Sequence, residues 1–322
     1  MRLWIFCLLL GGIFSGCAWL FVSATTPPLP DHRHPLLFYS NQSRQDIKLT
    51  LCTALNRART SLYIMMYGIT DTEIIALLQK KASQNLSIAI RYDKSASSNL
   101  RKLLPQALPY ASKGLMHRKM IAIDDTTVFL GTANLTPTSL KHHNNLVIGL
   151  HSPPLAQFLR RETGSHFIFE IEERPAELFL LPNEKHNALA QLIAAIDDAQ
   201  SSIKLAMYTL THPTIAHALV RAHKRGVFVQ VALDLYTARG ASRKVVALLE
   251  KAQIPLLLSR GQELLHHKWA LIDENTLIMG SANWTQAAFA KNEDFLLFLP
   301  YLQKNQIKFL NRLWEIIELE SF

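Results

Sequence analysis

Histidine, lysine and aspartate recur in one fixed pattern at two places in the chain: His117, Lys119 and Asp124, then His266, Lys268 and Asp273. Imidazole has an ordinary pKa of about 6.5, so near neutrality it can act as a nucleophile or carry a proton to a leaving group. Lysine adds positive charge where an oxyanion develops. One such short pattern is a weak signal on its own. Here the surroundings match as well. From His117 to Asn134 and from His266 to Asn283 the two stretches share His, Lys, Ile, Asp, Thr, Gly, Ala and Asn at the same offsets, ending in GTAN and GSAN. The chain therefore carries an internal duplication.

The spacing divides the motif residues by role. Leu115–Ile123 and Leu264–Ile272 read as strands, on which side chains two apart share a face. His117 and Lys119 then point the same way, as do His266 and Lys268. Asp124 lies seven positions after His117, an odd spacing and about 23 Å along an extended strand. Asp124 and Asp273 belong to the motif set expected to carry catalysis, but as anchors more than as acid or base. Each opens a turn-rich stretch, DDTT or DENT. The returning strands, Val128–Leu130 and Leu277–Met279, bring Asn134 and Asn283 back beside His and Lys, where their amides are expected to bind phosphate.

One His, one Lys and one Asn form an incomplete machine. Two such sets facing each other place imidazoles on opposite sides of one pocket, which suits a tetrahedral phosphodiester. One imidazole attacks phosphorus, the other protonates the leaving oxygen, and lysines and asparagines hold the equatorial oxygens.

The elements that must position these groups are duplicated too. Residues from Ala54 (ALNRARTSLYIMMYG) align with those from Ala195 (AIDDAQSSIKLAMYT), and each copy reads as helix, strand, helix, strand. The strands run Ser61–Tyr67 and Ser202–Tyr208, and the later ones end in Asp93 and Asp234. This order predicts an α/β fold: two duplicated α/β/α sandwich domains about a pseudo-twofold axis. The expected divisions are 1–24, an N-terminal signal or membrane anchor; 25–37, a Pro-rich tether; and domains at 38–172 and 173–322.

Composition sets limits on the partners. With 49% hydrophobic and 18% charged residues the chain is globular, and its formal charge of +9 favours anionic partners. Cys7 and Cys17 lie in the first apolar segment, which leaves Cys52 without an intramolecular partner in the body. No Cys/His spacing suggests a metal, and neither a metal nor a cofactor is expected. Residues 3–22 form an uncharged run of membrane-spanning length with Arg2 before it. The favoured fate is a retained anchor with the body on the extracytoplasmic side; cleavage after Ala24 and lipidation at Cys17 are the alternatives.

The two HxKxxxxD elements with trailing GTAN and GSAN resemble the phospholipase D superfamily from about Phe38 onward. The resemblance implies a metal-independent phosphodiesterase with a single site between the halves and a covalent phosphohistidine, resolved by water or an alcohol. It also implies that an acidic residue after each motif orients the histidine of the opposite half. Glu293 in KNEDFLLF would then back His117, making it the nucleophile. Asn144 in HHNNLVIG would back His266, the general acid. The leading expectation is hydrolysis of phospholipid headgroup esters at a membrane surface. Alternatives are a nuclease, phosphatidyl transfer of the cardiolipin synthase kind, and a catalytically dead binding protein. No obligate protein partner is evident.

Overall fold

The computed structural model describes residues 27–183, 187–261 and 263–322, so the apolar run at 3–22, with its anchor, signal and lipidation readings, lies outside the described residues. The first half runs β1 (Leu36–Tyr39), α1 (Ile47–Arg57), β2 (Ser61–Met66), α2 (Thr72–Ser83), β3 (Ser87–Tyr92), α3 (Leu100–Leu103), β4 (Ala107–Pro109), β5 (Lys119–Ile123), β6 (Thr127–Gly131), α4 (Pro137–Lys141), β7 (Val147–His151) and α5 (Pro153–Arg161). Then comes β8 (His166–Ile171). The second half runs β9 (Arg174–Leu180), α6 (Ala188–Asp197), β10 (Ser202–Met207), α7 (Pro213–Lys224), β11 (Phe228–Leu233), α8 (Leu235–Arg239), α9 (Arg243–Lys251), β12 (Leu256–Leu258), β13 (Lys268–Ile272), β14 (Thr276–Gly280), α10 (Gln286–Ala290), β15 (Phe295–Leu299) and α11 (Lys304–Leu319).

The first sheet is ordered β1-β7-β6-β5-β2-β3-β4. The second repeats it strand for strand as β9-β15-β14-β13-β10-β11-β12, with β8 added beyond β9. The central β2 and β10 each run parallel to the following strand and antiparallel to the motif strand, β5 or β13. The expected division at 172/173 falls in the turn of the β8–β9 hairpin, whose strands pair from His166 to Phe179. The repeated strand order of the second sheet begins with β9. β8, placed in the first domain by that division, belongs to the second sheet, because its register is set by pairing with β9 and not by the repeat.

Local sequence explains the helices. Asp46 and Asp71 cap α1 and α2 by accepting backbone N–H groups, which satisfies donors left open at a helix start. Ile47, Leu51, Ala54 and Leu55 then form a buried stripe on α1, at the spacing of one helix face. Helices α1 and α2 cover the outer face of the first sheet, and α6, α7 and α9 cover that of the second. The inner faces share one core. Tyr63, Met65, Met120 and Leu130 from the first sheet join Trp269, Leu271, Met279 and Leu297 from the second, and α5 and α11 are packed into the same core. Trp269 packs edge-on against Trp314, at 5.8 Å, and Trp284 is buried in the outer core of the second half. These tryptophans are packing residues. No helix among the described residues is long and apolar enough to cross a membrane.

Candidate active site

The motif strands are shorter than the sequence pattern suggests. Regular pairing in β5 and β13 begins only at Lys119 and Lys268. The residues just before them leave their own sheet and pair with the opposite half. Met116 bridges Glu293, with the His117 N–H donating to the Glu293 carbonyl at 2.7 Å and the Glu293 N–H to the Leu115 carbonyl at 2.8 Å. Leu265 bridges Asn144 in the same manner, with the His266 N–H on the Asn144 carbonyl at 2.9 Å. Each histidine is thus held by backbone from the other half, and the two motifs meet at one seam.

Behind each imidazole stands a polar side chain, one residue further along than expected. His117 Nδ1 lies 2.8 Å from Asp294 Oδ1, and His266 Nδ1 lies 2.9 Å from Asn145 Oδ1. Glu293 and Asn144 do not perform that role. Their backbones make the cross-half bridge, and successive side chains on extended backbone point to opposite sides. Glu293 therefore reaches Arg118, and Asn144 reaches Glu320. Asp294 and Asn145 each lie one position after the residue that the sequence pattern points to. Their signal was an acid or amide directly before an apolar strand.

The small residue of GTAN and GSAN completes each pair. The Thr132 hydroxyl donates to Asn145 Oδ1 and the Ser281 hydroxyl to Asp294 Oδ1, both at 2.7 Å. The glycine ahead of it allows close approach, since a Cβ on Gly280 would sit 2.1 Å from the Phe295 carbonyl oxygen. Asn145 Nδ2 donates to the carbonyls of Ser139 and His143, which leaves its oxygen to accept from His266. A carboxylate likewise only accepts. Both rings then carry their proton on Nδ1, and Nε2 is the nitrogen available for chemistry.

The lysines are buried beside the rings. Lys119 Nζ donates to the His117 carbonyl at 2.6 Å and Lys268 Nζ to the His266 carbonyl at 3.0 Å. Each ammonium also lies over a tyrosine, Tyr67 or Tyr208, at 5.1 Å, and each tyrosine contacts the histidine of its half at 5.1 Å. Asp93 and Asp234, at the ends of β3 and β11, accept the N–H groups of Met116 and Leu265. They hold the approach to each motif.

Charge is unbalanced here. Burial lowers the Lys119 pKa to about 7, against the pull of Asp294 and Asp93. Burial and the Lys119 charge hold Lys268 well below its ordinary value. Burial, then Lys268, Lys119 and His117, depress His266 strongly. His117 is lowered by burial and Lys119, with Asp294 opposing. Burial would raise the Asp294 carboxyl, but His117, Lys119 and Ser281 outweigh it and hold it low. Groups of both halves thus act on one another within a single site, where burial and mutual repulsion disfavour the cationic forms that a bound anion would restore.

Two of the expected site residues are not brought in. Asp124 and Asp273 sit in the β5–β6 and β13–β14 turns with positive φ, followed by Asp125 and Glu274, also at positive φ. Two consecutive left-handed residues are what a type I′ turn requires, here closed by the Thr126 N–H on the Ile123 carbonyl and the Asn275 N–H on the Ile272 carbonyl. The Asp124 carboxylate accepts the N–H groups of Arg59, Thr60 and Ser61, and that of Asp273 accepts those of Gln200, Ser201 and Ser202. They tie each hairpin to the loop ahead of the central strand. Asn134 and Asn283 are held next to the loops after Tyr67 and Tyr208 by the bridges Ile69–Leu135 and Leu210–Trp284, and their Oδ1 atoms are buried without a protein partner. No group of three potential metal ligands occurs among the described residues.

The duplicated sheets and the paired His-Lys sets facing across their seam define a phospholipase D-like protein. The chain belongs to the family described as cardiolipin synthase, PLD-like domain, which matches residues 51–166 and 192–314. It is 32% identical to the mouse protein named mitochondrial cardiolipin hydrolase over 138 residues, 42% of this chain and 61% of that protein. It is 31% identical to a Rickettsia conorii phospholipase D over 104 residues, 32% of this chain and 52% of that one. The matched stretch thus spans less than two thirds of either relative. In fold the chain is similar to phosphatidylserine synthase from Haemophilus influenzae Rd KW20, with a TM-score of 0.73 at 14% identity over 92% of this chain and 89% of that chain.

Proposed function

We propose that the protein is a membrane-tethered, metal-independent phosphodiesterase that hydrolyses phospholipid headgroup esters through a phosphohistidine. His117 Nε2 attacks phosphorus, the bond to the headgroup oxygen breaks, and His266 Nε2–H protonates that oxygen. Water then attacks the phosphorus, its proton passes to His266, and the P–N bond to His117 breaks. Lys119, Lys268 and the amides of Asn134 and Asn283 carry the charge of the equatorial oxygens. The diester anion raises the depressed His266 pKa on binding, which supplies the protonated acid.

The observation that carries the assignment is the unequal backing of the rings, a carboxylate on His117 and an amide on His266. A carboxylate favours the cation formed on attack. The lipid reading is supported by the family description and by the names of the relatives. The apolar run at 3–22 supports the tether and an extracytoplasmic body. The charge of +9 favours a second reading, a nuclease. Purified protein with labelled phospholipid vesicles or single-stranded DNA, in chelator, tests this directly. Release of headgroup supports the proposal, and cleavage of DNA alone replaces it with the second reading. A lipid product carrying an added alcohol would identify phosphatidyl transfer.

A further inference from the structure

The residue between His and Lys differs in the two motifs, Arg118 in one and His267 in the other, and both are buried. Arg118 grips the opposite half at three points. Its Nη2 donates to Glu293 Oε2 at 2.6 Å and to the Leu181 carbonyl at 2.9 Å, and its Nε to the Asp294 carbonyl at 3.3 Å. In the second motif His267 Nε2 meets Gln42 Oε1 at 2.6 Å, and Gln42 Nε2 donates to Glu320 Oε2 at 2.6 Å. The same oxygen accepts from Asn144 at 3.2 Å. In both halves, then, the middle residue of the motif is connected to the residue directly before the one that backs the imidazole. The first connection is a partly buried ion pair in a single step, and the second is a relay of polar side chains.

We propose that Arg118 and Glu293 form a clamp that positions Asp294 against His117, which makes Arg118 a positioning residue for the nucleophile. This rests on the phosphodiesterase reading with His117 as the attacking group. The clamp acts on the correct atoms. Glu293 bonds motif one through its backbone N–H and C=O, so fixing its carboxylate and the next carbonyl sets the direction in which the Asp294 side chain leaves the chain. The charged and titratable groups acting on the His117 ring are Asp294 ahead of β15, Lys119 on β5, Lys268 on β13 and His266, with Tyr67 after β2 in ring contact; Arg118 and Glu293 pair with each other.

The experiment measures the His117 ring by NMR titration and turnover of a soluble phosphodiester in the full protein and its variants. Arg118→Met should lower kcat by about 10- to 100-fold, the size of a lost hydrogen bond to a charged group, with KM little changed. The His117 pKa should fall, because its carboxylate partner loosens; loss of a nearby cation alone would raise it. Glu293→Gln keeps an acceptor for Arg118 and should retain most activity, whereas Glu293→Ala should not, although both remove the same charge. A folded Arg118→Met protein whose His117 titrates as in wild type, or higher, overturns the proposal. If Arg118→Met does not fold, equal behaviour of Glu293→Gln and Glu293→Ala overturns it. Absence of phosphodiester cleavage by the wild type would refute the functional reading, while the His117 titrations still decide the clamp.

Discussion

Replacing Asp294 by Asn would make the first half imitate the second. The second half shows that an amide fits this position, since Asn145 accepts from His266 at 2.9 Å and from the Thr132 hydroxyl at 2.7 Å. Asp294 makes the same two contacts with His117 and Ser281. Asp294→Asn should therefore keep the geometry and remove only the charge. Attack by His117 makes its ring cationic, and two estimates bracket the loss. Exchanging a charge-assisted for a neutral hydrogen bond costs about 1–2 kcal/mol. A full Coulomb interaction at about 4 Å and an effective dielectric of about 20 is worth about 4 kcal/mol. The barrier should rise within that range, so kcat should fall by about 5- to 1000-fold. KM should hold, because the interaction strengthens only in the transition state. The Asp294 carboxyl is depressed in the fold, so its contribution to stability is present above its unfolded pKa and lost as pH falls through the folded one. The variant should lack that acid-sensitive part. Steady-state turnover of a short-chain phospholipid and thermal melts at several pH values provide the assay. A folded Asp294→Asn protein with wild-type kcat would refute the reasoning.

Asp124→Asn should cost about 1–3 kcal/mol, because an amide cannot accept all of the backbone donors that the carboxylate holds, while Lys119→Met should fold normally and lose activity. Melting curves and turnover decide this, and a fully stable but inactive Asp124→Asn protein would contradict it. Activity should survive EDTA, since the lysines supply the positive charge at phosphorus; a strict divalent requirement in the chemical step would count against the mechanism. Binding of diethyl phosphate, a monoanion across this range, should weaken as pH rises through about 7, where Lys119 loses its proton. Calorimetry showing a flat affinity from pH 6 to 8 would count against a titrating Lys119.

The duplicated layout was legible because it is written in local pattern. Helix and strand periods repeat between the halves, and GTAN and GSAN mark the strand that returns to the site. The motif aspartates were legible too, as turn residues at an odd spacing from the histidines. What escaped was long-range. The segments carrying His117 and His266 pair with the other half, so β5 and β13 start later than their apolar runs. That cross-pairing assigns Glu293 and Asn144 to the backbone bridge and turns Asp294 and Asn145 toward the rings, a one-residue difference that gapless comparison of the halves does not reveal. The Arg118 clamp and the membership of β8 in the second sheet depend on the same kind of contact.

The central claim is that one site between the halves works through a covalent bond to His117. Rapid quenching of the enzyme during turnover, followed by peptide mass spectrometry at neutral to basic pH where phosphohistidine survives, tests it most directly. The mechanism predicts a phosphoryl adduct on His117 that is absent in His117→Ala and accumulates in His266→Ala on a substrate with a good leaving group. An adduct on His266, or turnover by His117→Ala, would contradict it.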